Sequence, residues 1–161
     1  MVNPTDIFAA LAGTYTLLNT SSTLNGTAVP DLAYGEAPIG LITYTAAGYM
    51  SATLAATEPD LRPANLTFPF QASDPDSLWA LVGKHSLAYA GPFRVSDAIP
   101  ANETHGQIFH GPLVVANVPA WVGSSQRRNY SVIDEGGERY LRIESRRDAG
   151  NEGVLWWRKV A

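Results

Sequence analysis

Between Gly40 and Leu54 the sequence GLITYTAAGYMSATL has to reverse direction. Ile39 to Tyr44 is rich in β-branched and aromatic residues, Thr45 to Gly48 supplies a short loop, and Tyr49 to Leu54 runs back. Gly48 can take the positive φ that a tight hairpin turn requires. Tyr44 pairs with either Tyr49 or Met50, and the choice sets which of them share a face. Much of the remaining chain reads as further strands laid beside this hairpin.

Asn3-Pro4 opens a short helix before it. Asn3 suits the N-cap, Pro4 the first helical position and Asp6 the first turn. Ile7, Phe8, Ala10 and Leu11 form an apolar face and Gly13 can end the helix, whose expected job is to plug or brace one end of a sheet. Thr14 to Thr23 reads as a strand, and Asn25-Gly26 and Pro30-Asp31 read as turns. Residues 55–75 hold four prolines and little periodicity, which marks a long connection. A second helix is expected from Asp74 to His85, with Asp74 as cap, Pro75 at the first position and Leu78, Trp79, Leu81 and Val82 as its stripe.

From Leu87 the period becomes two, with Leu87, Tyr89, Phe93 and Val95 on the inward face. Thr104 to Asn117 is strand-like but interrupted at Gly111-Pro112. Pro119 to Gly123 turns the chain into a strand from Ser124 to Ile133. Glu135-Gly136-Gly137 leads by hairpin into Arg139 to Arg147. Asp148 to Asn151 leads by another into Gly153 to Val160. These pieces make an all-β chain: an antiparallel up-and-down barrel of ~8 strands with one or two short helices, which can hold one small ligand inside.

Length and charge narrow the functions. The 161 residues fit a single domain spanning 1–161. A net charge of −4 and a pI near 5.2 argue against nucleic acid. No apolar run reaches the ~18 residues of a membrane span, and the N-terminus lacks a basic leader, so a cytoplasmic protein is expected. Cysteine is absent, and His85, His105 and His110 show neither HxH nor HExxH spacing, so neither a metal nor another cofactor is expected.

Several stretches are similar to the lipocalin-like domain family of bacteria and fungi. They are Gly13-Thr14-Tyr15, YGEAPIGLITYTAAGYMSA at 34–52, AYAGPF at 88–93, PAWVGSSQRR at 119–128 and LWWR at 155–158. The resemblance implies a small calycin-type barrel. Tyr15 stands where a tryptophan is common in that family. The resemblance also implies that the terminal arginine, here Arg158, packs across Tyr15 and closes the barrel base by a cation–π contact.

Within such a barrel the leading candidate is Arg128. Gln126, Arg128, Tyr130 and Val132 share one strand face, and the wholly polar set Arg127, Asn129 and Ser131 shares the other. The first set should therefore point inward and carry a guanidinium with it. A buried charge needs a partner. That partner is either internal, such as Glu36, Glu103 or a backbone carbonyl, or an oxygen of a ligand. His110 lies beside Gly111, where a ligand can approach, and an imidazole can move a proton. Tyr89 is the tyrosine most clearly directed inward. Catalytic roles are expected for Arg128, His110 and Tyr89, with Tyr44, Met50, Phe93, Trp121, Gln126 and Tyr130 lining the ligand site. Of Trp156 and Trp157, alternation puts one inside and one outside.

Two functions fit these residues. One is a cofactor-independent isomerase, cyclase or dehydratase for a small, apolar, oxygenated metabolite of polyketide or terpenoid type. The resemblance adds weight, since fungal relatives include cyclases of natural-product pathways. The other is a non-catalytic carrier of such a compound. Either way the expected partner is a small hydrophobic molecule, with a homodimer left open.

Overall fold

A computed structural model describes residues 2–146 and 150–161. Helix α1 (Pro4–Leu11) begins as its sequence dictates: Asn3 caps it, with Oδ1 accepting from the Thr5 amide at 3.1 Å. Strand β1 (Gly13–Leu24) follows. Asn25 and Gly26, both at positive φ, turn it into the three-residue strand β2 (Thr27–Val29), which the sequence reading did not anticipate. The central hairpin is β3 (Ile39–Tyr44) and β4 (Tyr49–Ala55). Its register pairs Tyr44 with Met50, so both point into the core while Tyr49 faces out. Gly48, at φ 87°, closes the turn under the Phe8 ring of α1, where a Cβ would be strained by the backbone and tight against the ring at 3.0 Å.

Residues 56–75 carry no strand or helix and lead to α2 (Asp76–Lys84). The expected Asp74 cap is corrected here. Pro75 occupies the N-cap, and the Asp74 carboxylate is engaged earlier, accepting from the Gln71 amide (2.8 Å) and the Trp79 indole (3.1 Å). The stripe on α2 is only half-buried. Strand β5 (Ser86–Val95) then crosses the molecule, with Tyr89, Gly91 and Phe93 buried. Strand β6 (His105–His110) stops at Gly111, whose φ of 134° breaks the ladder, and the chain resumes as β7 (Val115–Ala116) against β5. A 3₁₀ turn at Pro119–Trp121 leads into β8 (Gln126–Glu135). Two glycines at positive φ, Gly136 and Gly137, connect it to β9 (Glu138–Arg146), and β10 (Asn151–Lys159) completes the set. Half of the turn expected at Asp148 to Asn151, and Arg147, the expected last residue of the strand before it, lie outside the described residues.

The strands run β9-β8-β6-β5-β4-β3-β1 in antiparallel order, and β10 pairs with both β9 and β1, which closes an eight-stranded barrel with β2 and β7 as extras. The β1–β10 register shifts between Leu17 and Asn19. Inside, Leu11, Tyr15, Ile108 and Leu141 are fully buried and Ile7, Tyr44 and Trp157 are nearly so. Helix α1 stoppers one end: Ile7 and Leu11 enter the core, and the Tyr15 hydroxyl donates to the Leu11 carbonyl at 3.0 Å.

The proposed cation–π closure by Arg158 is also corrected. Tyr15 points inward, whereas Arg158 pairs with Thr16 on the outer face and lies 3.9 Å from Glu138. The arginine serving this end is Arg139. It grips both oxygens of Asp134 at 2.7 and 2.8 Å and donates from Nη1 to the Ala10 carbonyl at 3.1 Å. Among the described residues, no helix is long and apolar enough to cross a membrane.

Candidate functional site

Alternation along β5 and β8 decides what the interior contains. Tyr89 is buried from β5. On β8, Arg127 is exposed, Tyr130 and Val132 are buried, and Arg128 is half-buried on their face. Strand β6 ends with His110 fully buried. Antiparallel pairing brings these three together with the last residue of β3. His110 Nε2 lies 2.7 Å from the Tyr44 hydroxyl, and its Nδ1 lies 3.3 Å from the Tyr89 hydroxyl.

Burial holds the His110 imidazole well below its ordinary pKa, and the Arg128 charge presses it the same way, so the ring is neutral. Burial likewise pushes the Tyr44 phenol well above its usual range. A neutral imidazole donates from one nitrogen and accepts at the other. Among the described residues, Tyr44 has His110 as its hydroxyl's only partner, so its hydrogen must go to Nε2 or be stranded in apolar surroundings. Nδ1–H then donates to the Tyr89 oxygen. Tyr89 keeps its own hydroxyl hydrogen for the space it borders.

That space is an interior cavity of about 30 Å³. Tyr34, Tyr89, Trp121, Arg128, Ser145 and Trp157 border it, and aliphatic groups such as Ile42 and Leu54 complete it. Its volume suits about one water-sized group. Aromatic packing accounts for much of the filling. Tyr89 meets Trp121 edge-on at 5.3 Å between ring centres, and Tyr44 meets Phe93 at 5.1 Å. Arg128 lies 5.9 Å from the Trp121 ring centre, and its one hydrogen bond among the described residues runs from Nη1 to the Arg127 carbonyl at 2.7 Å. Neither Glu36 nor Glu103 forms an ion pair with it, and no other described carboxylate does.

The residues singled out in the sequence therefore fall into groups. Arg128, Tyr89 and Trp121 reach the cavity. His110 stands behind Tyr89, and Tyr44 behind His110. Met50 and Phe93 are core residues near Tyr44. Gln126 pairs with His110 in register but donates its amide to Ser124 Oγ at 2.9 Å. Tyr130 donates to the Asn102 carbonyl at 2.6 Å, away from the cavity, and burial helps push its phenol up to about 12.

Trp157 and Ser145 escaped the sequence reading as site residues. Alternation required one of Trp156 and Trp157 to face in, and the β10 pairing selects Trp157, 1 % exposed. Its indole Nε1 is buried and has no hydrogen-bond partner among the described residues. The same residues contain no cluster of three or more His, Asp or Glu placed to hold a metal ion.

A family model described as lipocalin-like domain matches residues 12–160. No curated protein and no solved structure matches the chain.

Proposed function

The chain belongs to the lipocalin-like domain family, and from that premise we propose that it binds a small, apolar, oxygenated molecule inside the barrel and promotes its isomerisation, cyclisation or dehydration without a cofactor. The observation that carries this reading is the convergence of Arg128 and the Tyr44–His110–Tyr89 relay on one apolar cavity. Arg128 holds an oxygen of the substrate and stabilises negative charge that develops there. Tyr89 donates its hydroxyl hydrogen to that oxygen or to a neighbouring leaving group. Among the described residues the His110 ring hydrogen-bonds only the two tyrosines, and it does not line the cavity, so it is a positioning residue that fixes Tyr89 as a donor.

The relay suits an acid better than a base. Taking up a proton would create an imidazolium in a dry site beside Arg128, which burial and the like charge both oppose. Donation leaves negative charge next to a guanidinium, which favours it. The apolar walls contribute by folding a flexible chain into a reactive shape. A polyketide- or terpenoid-type skeleton suits such walls. Since the cavity is small, entry requires side chains to give way. Leu87, Trp121 and Leu155 are half-buried apolar lining residues that can do so, and the turn carrying Trp121 ends near Gly123 at φ 78°.

A non-catalytic carrier is the second reading, favoured by the lack of a strong base. The test is to incubate the protein with enolisable apolar ketones and hydroxyketones, following tryptophan fluorescence for binding, and chromatography with proton NMR for conversion. Conversion that falls at least tenfold in Tyr89→Phe, with binding retained, supports the enzyme. Binding that needs Arg128 but returns every compound unchanged supports the carrier. No binding by any compound overturns both.

A further inference from the structure

The polar groups at the cavity differ in what they can do. An indole N–H donates and never accepts, and the same holds for a guanidinium. Tyr89, with its oxygen receiving Nδ1–H of His110, offers its remaining hydrogen. Tyr34 and Ser145 bring two further hydroxyl-bearing side chains to the cavity. The site is therefore rich in donors. It also carries a positive charge that no described carboxylate neutralises.

Trp157 is the second observation. It is almost wholly buried and borders the cavity, and its Nε1 is the one buried side-chain nitrogen or oxygen among the described residues without a partner. A stranded buried donor destabilises a fold unless something accepts from it. An acceptor placed in the cavity reaches the part of the interior that Trp157 and Arg128 both border. A planar, two-oxygen acceptor with a negative charge satisfies both donors together, and a guanidinium fork is shaped for such a group.

We propose that the interior cavity is a carboxylate site, in which one oxygen of an apolar monocarboxylate accepts from Trp157 Nε1 and the other from Arg128. This rests on the interior-ligand reading above in its carrier form, and narrows the ligand class to organic acids. Trp157 is a binding residue in this scheme, and the acid's apolar tail takes the space that Trp121 fills in the unliganded barrel. The carboxylate is held intact, since no bond to it is made or broken.

The probes are octanoate, octanamide and octanol, which share a chain and differ in head group. Indole N–H signals are followed by ¹H–¹⁵N NMR in the wild-type protein, with Trp157 identified by elimination from Trp79→Phe, Trp121→Phe and Trp156→Phe. The expected result is that octanoate binds at least about tenfold more tightly than the amide or the alcohol, as for hydrogen bonds to a charged group. It should also shift the Trp157 indole N–H downfield. Arg128→Gln should abolish the preference for the acid, and Trp157→Phe should weaken octanoate by about tenfold while leaving octanol unchanged.

Equal binding of all three, with the Trp157 signal unmoved, overturns the carboxylate site and leaves the interior-ligand reading standing. The same holds if a water cross-peak to the Trp157 N–H persists in saturating octanoate. Failure of all three to perturb any signal from the interior overturns both. The wild-type measurement stands even if Trp157→Phe folds poorly.

Discussion

Arg139 and Arg128 are both half-buried arginines on neighbouring strands, yet their surroundings differ. Arg139 sits at the stoppered end of the barrel with a carboxylate fork from Asp134 and a helix carbonyl from Ala10. Around it the buried hydroxyl of Tyr15 also finds an acceptor, at Leu11. Among the described residues, Arg128 has only the carbonyl of the residue before it and the face of Trp121. Near it an indole N–H goes unanswered. Where polar groups are saturated by the chain itself, they serve the fold. Where donors are left over, the proposed ligand has its place. The contrast sets a self-saturated end of the barrel against an interior with unmet donors.

The contrast can be tested by substitution. Leu11→Ala empties a fully buried site in the stopper and should cost about 2–5 kcal/mol in chemical denaturation, with ligand affinity unchanged in the folded fraction. A matching loss of affinity would show that the two regions are not separable. Arg139→Ala should lower stability by about 1 kcal/mol, discounted for partial exposure, and leave binding alone. Arg128→Ala should do the reverse, lowering affinity at least tenfold with little change in the denaturation midpoint. Exchanged outcomes for the two arginines would break the comparison outright.

Acid sharpens the same division. The folded-state pKa of His110 is depressed, so the unfolded chain binds a proton first as pH falls below the ordinary histidine value of about 6.5. Stability should therefore decline from pH 7 towards pH 5, and His110→Gln should flatten that decline. Asp134 responds lower down. Its pKa is lowered by the hydrogen bonds from Arg139, so its contribution is complete above the normal carboxylate range and lost as pH falls through its folded value. Melting curves across both windows would show two steps in the wild type, and an unchanged upper step in His110→Gln would refute the assignment. The smallest effect belongs to Arg127→Ala, which faces solvent. It should stay within about 0.5 kcal/mol in stability, and a large effect on binding would mean that Arg128 does not face the cavity.

Alternation made much of this legible beforehand. The polar set Arg127, Asn129 and Ser131 required Arg128 to turn inward, and the Leu87–Val95 pattern did the same for Tyr89. Sequence did not decide between Tyr49 and Met50 as the partner of Tyr44, because a hairpin of that length admits either register until α1 packs on the turn. Asp74 was misread because a carboxylate beside a proline caps a helix or closes the preceding loop with equal ease. Arg158 was misplaced because neither composition nor period reports which face Tyr15 and Arg158 take across the β1–β10 pairing. Trp157 was beyond reach for another reason. The sequence shows that an indole is present, and only the packed interior shows that its N–H has nothing to donate to.

The pairing of β1 with β10 has a bearing on how the barrel forms. Every other neighbour in the closed ring joins strands that follow closely along the chain, and such contacts form with modest loss of chain freedom. The β1–β10 ladder instead joins residues 15–24 to residues 151–159, the most distant pairing in the sheet. Its formation waits for nearly the whole chain to be collected, which places it late on the folding route and makes it the natural kinetic bottleneck. Until then both strands present bare edges, and the partly folded chain is open to pairing with its neighbours in solution. Crowded expression should therefore harm this protein chiefly before closure, and conditions that speed the last pairing should raise the yield of folded barrel more than conditions that stabilise the finished one.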